Sequence, residues 1–351
     1  MHLTRKQGDN LSTQTLTEWR IRMEEKTPLL EVIDLSVDFC IGREAPLHAV
    51  KNVSFRLYQG ETLGIAGESG CGKSVTCMSI LKLNPAKQTT YPTGQILFQG
   101  QDLLKLTPKQ LRPIRGNDIS LVFQEPMTAM NPLFTIGDQM LETLSVHDKH
   151  MDRRLAKEIC LDSINRVKIP NPLRIMEAYP FSLSGGMRQR IMIAMALITR
   201  PKLIICDEPT TALDVTIQAQ VLDLMNELRS EIGTSIIFIT HNLGVISEMA
   251  DRVITMYGGR ICEEAPVDQM FSNPQHPYTR GLIDSHPGSD YTGSRLKVIP
   301  GSVPTLRNMP SGCPFNNRCE YVCPECNDVF PPQEDLGGGH FVACHKFIKR
   351  K

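Results

Sequence analysis

The sequence predicts an α/β fold built around a largely parallel sheet. Two observations carry this. Between residues 203 and 257, short apolar runs alternate with amphipathic stretches: "KLIICDE", "TIQAQVLDLMNELRSE", "SIIFITH", "NLGVISEMA" and "RVITMYGG" read as strand, helix, strand, helix, strand. Such alternation is the pattern of parallel strands joined by helices, and the runs are continuously apolar, as strands covered on both faces must be. The second observation is "GESGCGKS", Gly67 to Ser74, lying between the strand-like Thr62–Ala66 and a helix expected from Val75 to Leu81.

The other elements follow from the same periodicities. Residues 1–28 are polar and aperiodic and are expected to form a loose extension. From Leu29 onward, "LLEVIDLSVDF", "AVKNVSFRLY" and "ETLGIAG" mix β-branched and aromatic residues, with a turn at Gln59-Gly60. "GQILFQG" and "ISLVFQ" predict two further strands. Across about residues 130–200, "PLFTIGDQMLETL", "MDRRLAKEICLDSINRV" and "GGMRQRIMIAMALI" carry apolar residues at helical spacing, which predicts a helical subdomain. Residues 29–268 thus read as one domain. Residues 269–351 turn rich in Pro and Gly and read as a small, loop-rich module.

The 351 residues suffice for one large or two medium domains. Lys+Arg and Asp+Glu balance at 38 each, which argues against nucleic acid as the main partner. No apolar run approaches the roughly 18 residues of a membrane span. The N-terminal stretch lacks the apolar centre of a secretory signal, so a cytosolic location is expected.

The chemistry concentrates at two places. In Gly67–Ser74 the glycines Gly67, Gly70 and Gly72 let backbone amides, including those of Glu68, Ser69 and Cys71, wrap around phosphate oxygens, and the following helix adds its positive N-terminal dipole. Lys73 would neutralise β- and γ-phosphates and Ser74 would ligate Mg²⁺. The second place is the end of "LIICDE". Carboxylates at the carboxyl end of a buried parallel strand sit where α/β sheets bind ligands. Asp207 is placed there to hold Mg²⁺ and Glu208 to orient and polarise a water.

Further motifs carry a resemblance. "LSGGMRQR" (183–190), "VFQ" ending at Gln124, "TALD" ending at Asp214 and "ITH" ending at His241 accompany the phosphate loop and the carboxylate pair in order. The set resembles the ATP-binding subunits of ABC transporters, P-loop ATPases with a mixed sheet core. The resemblance implies that Ser184, Gly185 and Gly186 reach across a head-to-tail dimer to the γ-phosphate held by the other subunit. It implies that Gln124 touches Mg²⁺ and the attacking water, that His241 contacts the γ-phosphate and that Asp214 couples the two sites. Phe39 is similar to the aromatic that stacks on adenine, although a strand Phe can equally be core.

A narrower resemblance rests on "FQEPMTAMNPLFTIGDQ", "HPYTRGL" and "IPGSVPTLRNMPSGCPFNNRC". These look like the D-type and F-type ATPases of oligopeptide and dipeptide importers. The resemblance implies an ATP-driven importer at the cytoplasmic face of the cell membrane. Its partners would be a second, F-type ATPase, two membrane permeases and an extracytoplasmic binding protein. Peptide is the leading solute, with nickel, glutathione or a sugar oligomer as alternatives. The chain departs from the pattern at Asn317, where Pro is usual. A soluble ATPase acting on nucleic acid or ribosomes is the competing class; it predicts two cassettes or long coiled coils and a basic surface, none of which is read here.

"CPFNNRCEYVCPEC" and Cys344 leave three readings open: disulfides, a metal site or spare thiols. A cytosolic setting disfavours disulfides. The pair Cys323 and Cys326 has zinc-like spacing. The family resemblance instead implies a [4Fe–4S] cluster on Cys313, Cys319, Cys326 and Cys344, with Cys323 as an extra thiol. Cys71, at a helix N-terminus beside Lys73, is expected to have a lowered pKa and to be the target of alkylating reagents.

Overall fold

The computed structural model describes residues 27–348 apart from 43, 125–128, 212 and 286–296. The extension expected over residues 1–28 therefore lies outside the described residues save for its last two positions, as do residues 125–128 of the "FQEPMTAMNPLF" stretch and Ala212 of "TALD".

The chain opens with an antiparallel pair, β1 (Leu30–Phe39) and β2 (Leu47–Leu57), in which Leu30 faces Leu57 and Phe39 faces Leu47. It continues through β3 (Thr62–Ala66), α1 (Lys73–Ile80), β4 (Gln95–Phe98) and β5 (Ile119–Val122). The helical subdomain follows as α2 (Ile136–His147), α3 (Arg153–Arg166) and α4 (Gly185–Leu197). Then come β6 (Leu203–Asp207), α5 (Val215–Ile232), β7 (Ser235–Ile239), α6 (Leu243–Met249), β8 (Arg252–Tyr257) and β9 (Arg260–Pro266). The last part holds α7 (Val267–Ser272), α8 (Pro277–Asp284) and two short strands, β10 (Glu334–Asp335) and β11 (Phe341–Val342).

Two sheets result. A small antiparallel one has β1 between β2 and β4. The main one runs β10-β11-β9-β8-β3-β7-β6-β5, with β8, β3, β7, β6 and β5 parallel. Side chains alternate across a strand, and β6 shows what its apolar run is for. Leu203 and Ile205 point into the core shared with the antiparallel sheet, beside Leu35, Val53 and Ile65. Ile204 and Cys206 point to the opposite face, into the core formed with Ile136, Met140, Ile164 and Ile191 of the helical subdomain. The helices are capped by their own sequence: Thr135 and Asp138 form a reciprocal capping box on α2, and Asp152, Ser184 and Asp214 cap α3, α4 and α5.

The C-terminal module has more regular structure than its composition predicts, and it is not laid out apart from the cassette. The expected boundary at 268/269 falls inside α7. β11 pairs antiparallel with β9, with Glu263 opposite Val342, so the module extends the main sheet. Its apolar residues Tyr278, Cys313, Phe315 and Cys326 share one core with Ala66, Leu243 and Tyr257 of the cassette. A segment this poor in apolar residues gains its burial by packing on the larger core. Glu263, fully buried, accepts the backbone N–H groups of Gln275 at 2.7 Å and His276 at 2.9 Å and pairs with His340 Nε2 at 2.6 Å, which pins both ends of the module to β9.

Arg252 at the start of β8 is also buried, between Glu61 (Nε to Oε1, 2.9 Å) and Glu264, and it donates to the Arg56 carbonyl. Removing it leaves two carboxylates buried without their counter-charge. Arg252→Leu is therefore expected to lower stability by about 3–5 kcal/mol, read as a fall in the urea midpoint; a shift under about 1 kcal/mol would contradict this account.

Candidate active site

The order of the main sheet gathers the site. β3 lies between β8 and β7, with β6 next beyond β7, so the segments that follow β3, β6 and β7 meet at one edge. β3 ends at Ala66 and α1 begins at Lys73; the intervening loop is clamped from both sides. Gly67 has φ +149°, and a Cβ there would strike the Met256 carbonyl and come within 2.7 Å of Cys71 Sγ. Gly72 has φ +103°, and its Cβ would lie 3.0 Å from the Ala49 carbonyl of β2. These two glycines are thus required by the protein's own packing as well as by any ligand.

Lys73 is buried, and its Nζ donates to the carbonyls of Gly67 at 2.7 Å and Glu68 at 3.1 Å, holding the loop closed on itself. Ser74 Oγ donates to Asp207 Oδ1 at 3.0 Å, which ties the first turn of α1 to the end of β6.

Glu208 is the hub. Its φ of +47° places it in the left-handed region, and its N–H donates to the Ile239 carbonyl at 2.9 Å. The carboxylate then accepts Gln124 Nε2 at 3.0 Å and Thr211 Oγ1 at 3.0 Å, and it pairs with His241 Nδ1 at 3.1 Å. Burial works against ionisation of Glu208, but the hydrogen bonds from His241 and Thr211 and the charges of His241 and Lys73 outweigh it and hold the carboxyl below its ordinary value. Asp207 goes the other way: burial pushes it up, and the Ser74 hydrogen bond only partly offsets this. Neighbouring carboxyls with opposed environments suit separate tasks.

The remaining predicted residues lie elsewhere. Ser184 accepts the Met187 N–H at 3.3 Å as the N-cap of α4, and Ser184 and Gly185 are exposed. Gly186 abuts α5, where a Cβ would come within 2.8 Å of Ile217 Cγ2. Asp214, capping α5 through the Ile217 N–H at 2.9 Å, therefore stands beside the start of α4. Among the described residues, no hydrogen bond or ion pair joins this exposed surface to the phosphate loop. Phe39 ends β1, half-buried, opposite Thr89 and Leu47, and Leu47 lies two positions before Ala49, whose carbonyl borders Gly72. A cavity of about 380 Å³ lies between α2, α3, α4 and α5 and includes none of the predicted site residues.

Cys71 corrects an expectation. It is fully buried, and burial pushes its thiol up in spite of Lys73, so it is not the activated thiol that its place before a helix suggested. The C-terminal thiols are arranged differently. Cys313, Cys319, Cys326 and Cys344 line one small cavity with His276 and Lys346. Cys323 is not in its lining, and its sulfur stands 3.2 Å from that of Cys326. Among the described residues, no group of three or more His, Cys, Asp or Glu is gathered so as to hold a metal ion. The zinc alternative thus lacks the converging tetrahedral ligand set that a single ion requires. Four thiols lining one cavity are the residues an iron–sulfur cluster would use, one thiolate for each iron, but they too are not gathered as a metal-binding group.

Comparison with known proteins places this geometry. Residues 50–211 match the ABC transporter family, and residues 262–326 match the oligopeptide/dipeptide transporter C-terminal region. The probable peptide ABC transporter ATP-binding protein y4tR of Sinorhizobium fredii is 47% identical over 317 residues, covering 90% of this chain and 94% of that one. The dipeptide transport ATP-binding protein DppD of Bacillus subtilis is 48% identical over 316 residues, with the same two coverages of 90% and 94%. The chain belongs to the ATP-binding subunits of ABC transporters. The fold of this ABC ATPase agrees: the dimeric post-hydrolysis structure of the cassette MJ0796, bound to ADP and Pi, matches with a TM-score of 0.61 and 26% identity, over 68% of this chain and 98% of that one.

Sequence reasoning missed Thr211, which braces Glu208, and every residue of the C-terminal extension that touches the phosphate loop of this ABC ATPase. Thr211 lies three residues after Glu208 in "DEPTTALD", a position that could have been suspected. Tyr278 and Arg318 lie in the quoted "HPYTRGL" and "CPFNNRC", but nothing local points to Glu68, which lies 210 and 250 positions earlier.

Brief iodoacetamide labelling of the native protein is expected to modify Cys40 and Cys323 well before Cys71. Peptide mapping that finds Cys71 labelled first would contradict its burial.

Proposed function

We propose that this ABC ATPase powers the import of peptides through a membrane transporter by hydrolysing ATP at the edge of the main sheet. The observation that carries the reading is the meeting of Gln124, Thr211 and His241 on Glu208, beside the Ser74–Asp207 bond and Lys73. In this reading the amides of Gly67–Ser74 and the start of α1 bind the triphosphate, and Lys73 moves from the carbonyls of Gly67 and Glu68 to the β- and γ-phosphates. Phe39 stacks on the adenine. Ser74, Asp207 and Gln124 would hold Mg²⁺, which when bound would neutralise charge on the phosphate oxygens. Glu208 orients the attacking water, and His241 bridges it toward the γ-phosphate.

The exposed Ser184–Gly186 surface and Asp214 face a second, F-type ATPase in a head-to-tail dimer, where the α4 N-terminus completes the partner's phosphate site. That surface has no use for the phosphate loop of its own chain, which supports a role in trans. The helical subdomain, joined to the site through Gln124 at the end of β5, passes closure and reopening to two permeases, and an extracytoplasmic binding protein delivers the solute. The ATPase works at the cytoplasmic face of the cell membrane; no helix among the described residues is long and apolar enough to cross it. The peptide solute is supported by the C-terminal match and by the peptide and dipeptide transport names of the relatives. A [4Fe–4S] cluster would be held by Cys313, Cys319, Cys326 and Cys344, which line one cavity, and would brace the extension, with Cys323 outside the set.

Glu208→Gln, in the reconstituted transporter with its binding protein and peptide, is expected to cut ATP turnover about a hundredfold or more while ATP binding persists. Unchanged turnover would refute the catalytic assignment. Protein purified without oxygen is expected to be brown, with iron and acid-labile sulfide in stoichiometric amounts; a colourless protein carrying zinc would refute the cluster.

A further inference from the structure

Glu68, the second residue of the phosphate loop, has each of its polar groups engaged. Its carbonyl accepts Lys73 Nζ at 3.1 Å. Its N–H donates to Tyr278 Oη at 2.7 Å. Its carboxylate receives the two ends of one guanidinium: Arg318 Nη1 to Oε2 at 2.7 Å and Nη2 to Oε1 at 3.1 Å. The carbonyl also accepts the Cys71 N–H at 3.3 Å, so its partners belong to the loop, while those of the N–H and the carboxylate do not. Tyr278 and Arg318 come from the C-terminal extension, 210 and 250 positions further along the chain.

Both are held rigidly. Arg318 is buried, its side chain 3% exposed, and it also donates to the carbonyls of Pro300 at 2.8 Å and Ile299 at 3.4 Å and to Tyr257 Oη at 3.2 Å. Tyr278 is fully buried, its ring 4.7 Å from that of Tyr257 and 5.4 Å from that of Phe315. A two-pronged guanidinium–carboxylate pair fixes orientation as well as distance, which a lysine cannot reproduce. The loop's amides bind phosphate only if they are aimed together, and a free carboxylate one residue after Gly67 would repel a triphosphate. Arg318 neutralises that charge and draws it into the extension.

We propose that Arg318 and Tyr278 are positioning residues for the phosphate loop, acting through Glu68, so that the C-terminal extension sets the affinity of the site for ATP. This rests on the assignment of Gly67–Ser74 as the ATP phosphate loop. Neither residue touches the nucleotide; the effect belongs to binding, not to the water attack organised by Glu208.

The test uses the full chain, a fluorescent ATP analogue for Kd and steady-state turnover for kcat and KM. Arg318→Ala is expected to weaken ATP binding about tenfold, with kcat at saturating ATP within about twofold. Arg318→Lys, which keeps the charge and loses the fork, should fall between. Tyr278→Phe removes one oxygen and should weaken binding a few-fold, and it keeps the test open where Arg318→Ala does not fold. The decisive comparison is Arg318→Ala combined with Glu68→Gln: with no unpaired carboxylate left at the loop, most of the lost affinity should return relative to Glu68→Gln alone. Wild-type affinity in both Arg318→Ala and Tyr278→Phe, or an Arg318→Ala loss that is equal with and without Glu68→Gln, overturns the proposal. Lys73→Ala serves as the reference: if it leaves ATP binding intact, the phosphate-loop assignment fails and this inference falls with it, whereas loss of binding in Lys73→Ala beside unchanged Arg318→Ala and Tyr278→Phe refutes the inference alone.

Discussion

Strands buried on both faces can place reactive side chains only at their ends. The parallel strands β8, β3, β7, β6 and β5 are such strands, and the site depends on that constraint. Because β3 is flanked by β8 and β7, with β6 beyond, the phosphate loop, the carboxylate pair and His241 emerge at one edge. Gln124 reaches the same edge from the end of β5. The order and register of neighbouring strands bring their ends together. At the end of β6, Glu208 takes a left-handed backbone, φ +47°, and its carboxylate meets three donors.

The C-terminal extension is tied into this arrangement rather than hung from it. Its strands lengthen the main sheet, its aromatic residues complete a core begun by the cassette, and its Arg318 and Tyr278 grip the phosphate loop. A segment rich in Pro and Gly cannot bury enough apolar surface by itself to offset the entropy of ordering it. Packing on a formed core removes that difficulty. It also makes the extension and the nucleotide site mechanically adjacent, since the surface it covers is the outer side of the loop.

The cysteines show how little a residue type says without its surroundings. Cys71 stands before a helix and beside a lysine, features that lower a thiol pKa, but desolvation is the stronger effect because the thiol is sealed under Gly67 and β8. Cys323 has the spacing of a metal ligand with Cys326, yet it is not in the lining of the cavity that the other four thiols share. In both cases the deciding quantity is solvent and neighbour geometry, which sequence spacing does not encode.

The α/β class, the strand–loop–helix at Gly67–Ser74, the helical subdomain and the carboxylates of β6 were all legible in the sequence, because each is set by local periodicity or by residues adjacent in the chain. Even the helix caps Ser184 and Asp214 are local. Thr211, three residues beyond Glu208, was within reach of such reasoning and was overlooked. What the tertiary structure alone decided is who meets whom across long separations: Gln124 and His241 on Glu208, Ser74 on Asp207, Arg318 and Tyr278 on Glu68. The physical reason is that these bonds depend on strand order and on the docking of the extension. Both are settled by burial of apolar surface summed over the whole chain, and no short stretch of sequence carries that sum.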